Sequence, residues 1–573
     1  MESQVPLVVN SQRCPRCDKD AFLDACVLIS SQFLEYISKV NILINGYPAY
    51  NWMAEEQTCQ VLIVGAGPGG LTAAMLLAKA GIKVTIIEKS EVVGGRTKII
   101  EKDGYKFDNG PTFFHYPEIA EEIFRALGKD AHEELKLIPL DPNYRLVFGA
   151  GGSLDATSNL DNMTEQIRDL CGEKNADGFR KYVVDNRKKL KFSRNCLNSP
   201  WKGPLDLFSR RAIRVSKVLR PWRSVASDLA SMFPDERMQL AMSFQTKYLG
   251  MSPFKAPSLF TILAYLEYEY GVFHAEGGLG TITERMADIA RELGVEIRLN
   301  EPVEEFLFEG KTVIGVKTGK GTYHAERYVM NVDFATGMKG LIPDKLRKRW
   351  SNKKLDKKSY SCSTFMLYLG IDKLYDVPHH QIYAAKDYQK NLREVTQHKV
   401  SWDDPSVYVQ NACITDPTMA PKGHSTIYVL VPVSNQHPDI EWDDIKHDFR
   451  DVILKQLEHL GFDDLEKHIV SETIVTPDDW ASRDIYKGAV FNLAHGLDQM
   501  LWRRPQNRFE ELKKLYLVGG GTHPGSGLPT IFESGRITAK MICADMGVIP
   551  DWNGEETWFS DWRKPKSIRK LES

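Results

Sequence analysis

The stretch 60-QVLIVGAGPGGLTAAMLLAKAGIKVTIIEK-89 decides how this chain is read. Its first residues, Gln60 to Val64, make an apolar run of the kind that forms a buried parallel strand. The turn GAGPGG follows from Gly65 to Gly70, and 71-LTAAMLLAKAG-81 is a strong helix former that Gly81 stops. A second strand, 83-KVTIIEK-89, completes a β-α-β unit. Gly65, Gly67 and Gly70 fit G-x-G-x-x-G: the first permits a tight turn, the second a close backbone approach to a pyrophosphate, the third a close helix–strand contact. The helix N-terminus then turns unsatisfied N–H groups and a positive dipole end toward the phosphates. Glu88 ends the second strand 18 residues beyond Gly70, where a carboxylate accepts both ribose hydroxyls and repels a 2'-phosphate.

At 573 residues the chain exceeds one average domain, so two or more folded units are expected. A hydrophobic share of 42%, a charged share of 26% and a net charge of -2 exclude a global pull toward nucleic acid, and no nucleic-acid partner is expected. Nine cysteines without a framework spacing suit a reducing compartment and free thiols. The pair in 14-CPRC-17 has no second such pair, and no metal site is expected. No apolar run reaches the length of a spanning helix, and the start does not read as a signal peptide. The compact pattern begins at Val61, just after Met53, so the first 52 residues are expected to be a loosely attached extension or an upstream reading of the start codon.

Residues 105 to 270 alternate helical patterns with polar loops. Within them 201-WKGPLDLFSRRAIRVSKVLRPWR-223 carries seven basic residues against Asp206, and its apolar residues recur every three or four positions, which predicts a basic amphipathic helix. The aromatic-rich 254-FKAPSLFTILAYLEYEYGVFH-274 reads first as ordinary core and second as a tunnel lining. A second α/β signature runs from Gly277 to Asp333, with a helix, a strand, a hairpin and a closing strand, YVMNVD. Strand-like runs at STFMLYLGI and STIYVLVPV mark a mixed region further on.

Six further segments carry a family resemblance. The run 94-GGRTKII-100 resembles the second glycine pair with arginine of the flavoprotein superfamily of amine oxidases and carotenoid desaturases. There Gly94 and Gly95 let the chain bend over the pyrophosphate, and Arg96 supplies a charged donor. The segment 105-YKFDNGPTFFH-115 resembles the one that runs under the isoalloxazine ring, which places Gly110, Pro111 and Thr112 near the flavin; Asn109 stands where the family commonly has a small residue. In 296-EIRLNEPVEEF-306 the resemblance sets the backbone of Val303 against the adenine. The closing run, 515-LYLVGGGTHPGSGLPTIFESG-535, decides the subgroup, because Gly-Thr-His-Pro-Gly before a Gly-hydrophobe-Pro turn is similar to the signature of the bacterial-type phytoene desaturases. With 276-EGGLGTITERMADIA-290 and 499-QMLWRRPQNR-508, the resemblance spans about residues 59 to 547.

The resemblance implies FAD as cofactor and an α/β fold. A Rossmann-like FAD-binding domain, discontinuous in sequence, is joined by a mixed α+β substrate domain and a helical membrane-facing region. Its expected parts are residues 57–150, 276–340 and 506–550 for FAD, 151–275 for helical docking and 341–505 for substrate, flanked by an extension at 1–56 and a tail at 551–573. Gly520, Gly521 and Thr522 are expected to close over the phosphates and ribityl chain. Leu528 and Pro529 are expected to set the last helix against the flavin, with its N-terminus favouring the reduced anion. The implied activity is carotenoid desaturation: a hydride passes from an allylic carbon to the flavin and the neighbouring proton to a base or water. His523, close to the expected ring, is a candidate for that base, but it reads first as a loop histidine that holds its own turn. Implied partners are an apolar polyene, a membrane surface met by residues 201–223 at its cytoplasmic face, and oxygen or a quinone as electron acceptor. A carotenoid oxygenase or ketolase and a thirty-carbon diapophytoene desaturase share these motifs; a flavin amine oxidase and a non-catalytic prenyl-lipid carrier are the more distant alternatives.

Overall fold

A computed structural model describes residues 58–197, 203, 218–249 and 251–552. The expected extension at 1–56, residues 201, 202 and 204–217 of the basic stretch, and the tail beyond 552 lie outside the described residues.

The glycine-turn unit folds as read. The strand Thr58–Val64 is fully buried from Val61 to Val64, and the helix Pro68–Lys79 and the strand Val84–Ile87 follow. These strands belong to a seven-stranded sheet. Its order is Glu296–Arg298, Val84–Ile87, Thr58–Val64, Gly321–Met330, Thr312–Thr318 and Val303–Glu309, with Leu515–Leu517 pairing along Gly321–Met330. The five strands at the nucleotide end run parallel. The hairpin read in VEEFLFEG and VIGVKT pairs antiparallel and extends the sheet. Segments far apart in the chain thus build one sheet, and the ends of its parallel strands deliver their loops to one crevice, where this topology binds ligands.

A second seven-stranded sheet has the order Ile469–Val475, Ser363–Ile371, Ser425–Val433, Val407–Asn411, His380–Ala384, Tyr144–Phe148 and Ser153–Ala156. The runs read as STFMLYLGI and STIYVLVPV are its central antiparallel pair, and every residue of the first is buried. Helix Trp442–Glu458 covers one face through Trp442, Phe449, Ile453 and Leu457.

Two expectations need correction. Residues 105–270 are not helices and loops alone, because the hairpin Tyr144–Ala156 is part of the second sheet. For the same reason residue 150 is no domain boundary: it lies inside that hairpin. Its strand alternates buried and half-buried residues over only five positions, and its partner, His380–Ala384, lies far downstream. A short strand satisfied by so distant a parallel neighbour has little local signal. In the aromatic-rich stretch, Tyr265 and Tyr268 on helix Ile262–Tyr270 are buried core.

Candidate functional site

The site begins at the first glycine turn. Gly65 N donates to Ile87 O (2.8 Å), which ties the turn to the second strand. Glu88 is buried at that strand's end, where its Oε2 accepts from Ala66 N (2.7 Å) and its Oε1 from Ser90 N (2.9 Å). Each oxygen keeps a lone pair for a hydroxyl. The helix at Pro68 starts from Gly67 with no side-chain cap and no acid in its first turn, so its N–H groups are left for an anion. A Cβ added at Gly95 would meet only Gly67 Cα, at 3.6 Å, and one added at Gly67 only Asn331 Nδ2, at 3.3 Å. The two glycine turns therefore face each other across a groove. Donors without acids, an acid at the ribose end and a groove that a side chain would fill together fit a dinucleotide.

The C-terminal glycine run forms the other wall. Leu515–Leu517 pairs with Gly321–Met330, itself the neighbour of Thr58–Val64, so Gly519 to Thr522 emerge beside Gly65 to Gly70. Asn331 ends the strand between them. Its Nδ2 donates to Gly65 O (2.9 Å) and Gly67 O (3.4 Å), while a Cβ on Gly519 would stand 3.5 Å from its Oδ1. Helix Leu528–Met546 lies on helix Pro68–Lys79 so closely that a Cβ on Gly535 would sit 2.5 Å from Gly69 O. That last helix also starts without a side-chain cap or an acid in its first turn, behind Gly527, with Leu528 buried and Pro529 half-buried. Gly520, Gly521 and Thr522 are buried in the loop. His523 is 1% exposed, its N–H donating to Pro505 O (2.9 Å) and its carbonyl accepting from Ser534 Oγ (3.0 Å), so its backbone is built into this loop.

Arg96 is engaged within the protein: its Nη2 donates to Asp333 Oδ2 (2.6 Å) and its Nη1 to Val490 O (3.1 Å). In the orientation that satisfies both neighbours, Asn492 donates to Asp333 and accepts from Arg96. Arg96 thus ties the second glycine turn to the segments at Asp333 and Asn492. Near the ribose end, Glu301 N donates to Glu88 O (2.9 Å). Val303 opens the next strand there, and a register shift between Val303 and Glu305 leaves local backbone outside the regular ladder.

The segment Asn109 to Phe113 lies across the second sheet. Tyr368, Tyr428, Gln410 and His380 stand opposite one another on four neighbouring strands, with Tyr408 on the same face two residues from Gln410. Tyr368 OH donates to Asn109 O (2.9 Å) and Tyr428 OH to Gly110 O (2.7 Å). Tyr408 OH lies 2.6 Å from Thr112 Oγ1 and 2.9 Å from His380 Nδ1. His380 is fully buried, which holds its pKa well below the ordinary imidazole value and keeps the ring neutral. Phe113 packs edge-on against both His380 and Tyr408.

Lys247, Cys362, Tyr388 and Tyr408 all keep open surface, yet burial pushes Lys247 down to about 8, Cys362 up to about 11 and both tyrosines far above their usual range. Lys247 Nζ sits 4.5 Å over the Tyr388 ring and 3.4 Å from Asn391 Oδ1, without a carboxylate partner among the described residues.

The structure thus brings together Gly65, Gly67, Gly70, Glu88, Gly95, Gly520, Gly521 and Thr522 around one groove, and hangs Gly110 and Thr112 on the second sheet. Sequence reasoning missed Asn331, Asp333, Asn492 and the row Tyr368, Tyr428, Tyr408 and His380. Asn331 and Asp333 were legible in principle: they end the closing strand YVMNVD, and loops after parallel strands at a switch point hold ligands.

Comparison with known proteins agrees with this geometry. The flavin containing amine oxidoreductase family matches residues 68–543. The chain is 42% identical over 488 residues to a 4,4'-diapophytoene desaturase (4,4'-diapolycopene-forming) of a Methylomonas species, covering 85% of this chain and 95% of the relative. It is 36% identical over 503 residues to an all-trans-zeta-carotene desaturase of Myxococcus xanthus, covering 86% and 95%. A solved structure of a putrescine oxidase variant superposes with a TM-score of 0.55 at 17% identity, over 85% of this chain and 99% of that one.

Proposed function

We infer the activity from one premise: the chain belongs to the flavin containing amine oxidoreductase family, and within it to the carotenoid desaturases. It is an FAD-dependent oxidoreductase that introduces C=C bonds into a long apolar polyene. The observation that carries this reading is the meeting of the two distant glycine runs in one cradle.

Each new double bond removes a hydride and a proton from adjacent carbons. FAD, held by the first glycine turn, Glu88 and the loop Gly519–Thr522, supplies the two-electron acceptor. The chain's own work is to place the polyene and keep water out. Tyr368 and Tyr428 fix the carbonyls of Asn109 and Gly110, while Tyr408 and neutral His380 fix Thr112, so the wall beside the reacting carbons is rigid. Tyr408→Phe is expected to retain FAD and lower turnover roughly tenfold or more, as small misplacements do. Unchanged turnover in a flavin-loaded variant would remove this role. Direct assay uses membranes containing the protein, fed phytoene, diapophytoene or lycopene: new polyene absorption from any of them supports the reading, and a flavin-loaded protein inert toward all three opposes it.

We also propose that the protein docks on a bilayer to collect its substrate. No helix among the described residues is long and apolar enough to cross a membrane. The support is an apolar corner where the basic stretch ends: Trp222 is 70% and Phe254 51% exposed, on segments joined by Ser258 N to Arg223 O (2.8 Å) and Ala226 N to Pro253 O (3.0 Å). Exposed aromatic rings suit the headgroup region. Arg220 and Arg223 are already paired with Asp185 and Asp228, so the rings, more than these two charges, make the contact. Replacing Trp222 and Phe254 together by serine is expected to cut recovery on floated vesicles several-fold with FAD content unchanged; equal flotation would refute the docking corner.

A further inference from the structure

At the cofactor loop, Arg504 is a buried cation with no carboxylate partner among the described residues. It is 0% exposed. Its Nη2 donates to Gly520 O (2.6 Å) and Leu493 O (3.3 Å), its Nε to Thr522 O (3.2 Å) and its Nη1 to Ala494 O (3.5 Å). All four acceptors are backbone carbonyls. Burial alone drives its pKa down to about 9, with no carboxylate acting on it. Three fully buried cations elsewhere are treated differently: Lys189 faces Asp228, Arg536 faces Glu122 and Glu533, and Arg347 has Asp344 at 3.5 Å. A buried ion without a counter-ion is costly, and carbonyl dipoles offset only part of that cost.

Two of the carbonyls belong to Gly520 and Thr522, in the loop that closes the nucleotide groove. We propose that Arg504 is the counter-charge of the bound cofactor, its guanidinium offsetting the negative charge that FAD brings to this loop and the further charge gained on two-electron reduction. Arg504 touches the cofactor loop from behind and acts through space, so it is a positioning and electrostatic residue. It makes the oxidised cofactor bind more tightly and the reduced anion more tightly still, which raises the reduction potential and favours hydride removal from the polyene.

The inference rests on the flavoprotein reading and is tested without turnover. Wild type, Arg504→Met, Arg504→Gln and Arg504→Lys are purified, reconstituted with FAD, and compared by FAD titration and by equilibration with redox dyes. Neutralising the charge is expected to raise the FAD dissociation constant at least tenfold. It should weaken the reduced form about tenfold more than the oxidised one, a fall in potential of ~30 mV for a two-electron couple. Arg504→Lys keeps the charge and should hold the potential near that of wild type even where fewer hydrogen bonds lower its stability. If Arg504→Met does not accumulate, the Lys and Gln variants decide: a lower potential in Arg504→Gln supports the inference, and equal potentials in the two overturn it. A side chain that merely clips carbonyls would lower the melting temperature of every variant and leave the potential alone. Wild-type protein that binds no FAD would instead remove the flavoprotein reading itself.

Discussion

Gly70→Ala is expected to give folded protein without yellow colour. The added Cβ would stand 2.5 Å from Gly65 O and 2.6 Å from Asn331 Nδ2, distances real Cβ atoms do not adopt. Neither neighbour yields freely, because the same Asn331 amide holds Gly65 O at 2.9 Å. The strain costs roughly 1–3 kcal/mol, and it is relieved by opening the turn, which carries the phosphate-binding N–H groups away from the groove. FAD affinity is expected to fall by about two orders of magnitude, since an anion site depends on aimed donors. Gly81→Ala is the control: Gly81 has φ +81° with nothing within 4 Å of an added Cβ, so the variant should lose about 1 kcal/mol of stability and keep its flavin. Flavin absorbance and FAD titration of both proteins distinguish the cases, and a Gly70→Ala protein with unaltered FAD affinity would refute this account of the turn.

The second large effect concerns stability at the edge of the helical region. Asp228 is 0% exposed and joins three cations: Lys189 Nζ at 2.8 Å, Arg220 Nη2 at 3.0 Å and Arg223 Nη1 at 3.2 Å. Lys189, also 0% exposed, fills its remaining donors with Ser258 Oγ (3.0 Å) and Thr261 Oγ1 (2.9 Å). Asp228→Ala leaves buried Lys189 to share Asp185, at 3.2 Å, with Arg220, and deprives Arg223 of its carboxylate. Breaking a buried pair from one side costs about 3–5 kcal/mol. The denaturation midpoint should fall accordingly, whereas removing the exposed pair Arg168–Glu173 should leave it unchanged. A loss in Asp228→Ala no larger than in that exposed control would contradict the assignment. The same cluster anchors the corner that presents Trp222, so the variant should also lose vesicle recovery before it loses FAD.

These two sites mark the reach of sequence reasoning. The Gly65–Gly70 turn was legible because strand, turn, helix, strand and acid are contiguous, and each residue type there has a local physical reason. The partnership between Gly519–Thr522 and that turn became legible through resemblance; the contact that enforces it, Asn331 between the two runs, is a matter of strand order. Cross-strand rows are harder still. Tyr368, Tyr428, Gln410 and His380 come from four strands, and nothing in any one strand marks its tyrosine or histidine as a neighbour of Gly110. The hairpin Tyr144–Ala156 was missed for the same reason. Arg504 was visible as part of QMLWRRPQNR, but its burial and lack of a carboxylate depend on how the loops at Leu493 and Gly520 close around it. The basic stretch shows the reverse: its periodicity was plain, yet Arg220 and Arg223 answer to Asp185 and Asp228.

The central claim is that this chain cradles FAD between its distant glycine runs and uses it to desaturate a polyene. An anaerobic single-turnover experiment tests it most directly: purified protein loaded with FAD is mixed with vesicles carrying phytoene or diapophytoene, and flavin and polyene absorbance are followed together. The expected result is loss of oxidised-flavin absorbance in step with longer-wavelength polyene bands, one new double bond for each flavin reduced. Flavin that is reduced by a primary amine while the polyenes stay unchanged would contradict the claim.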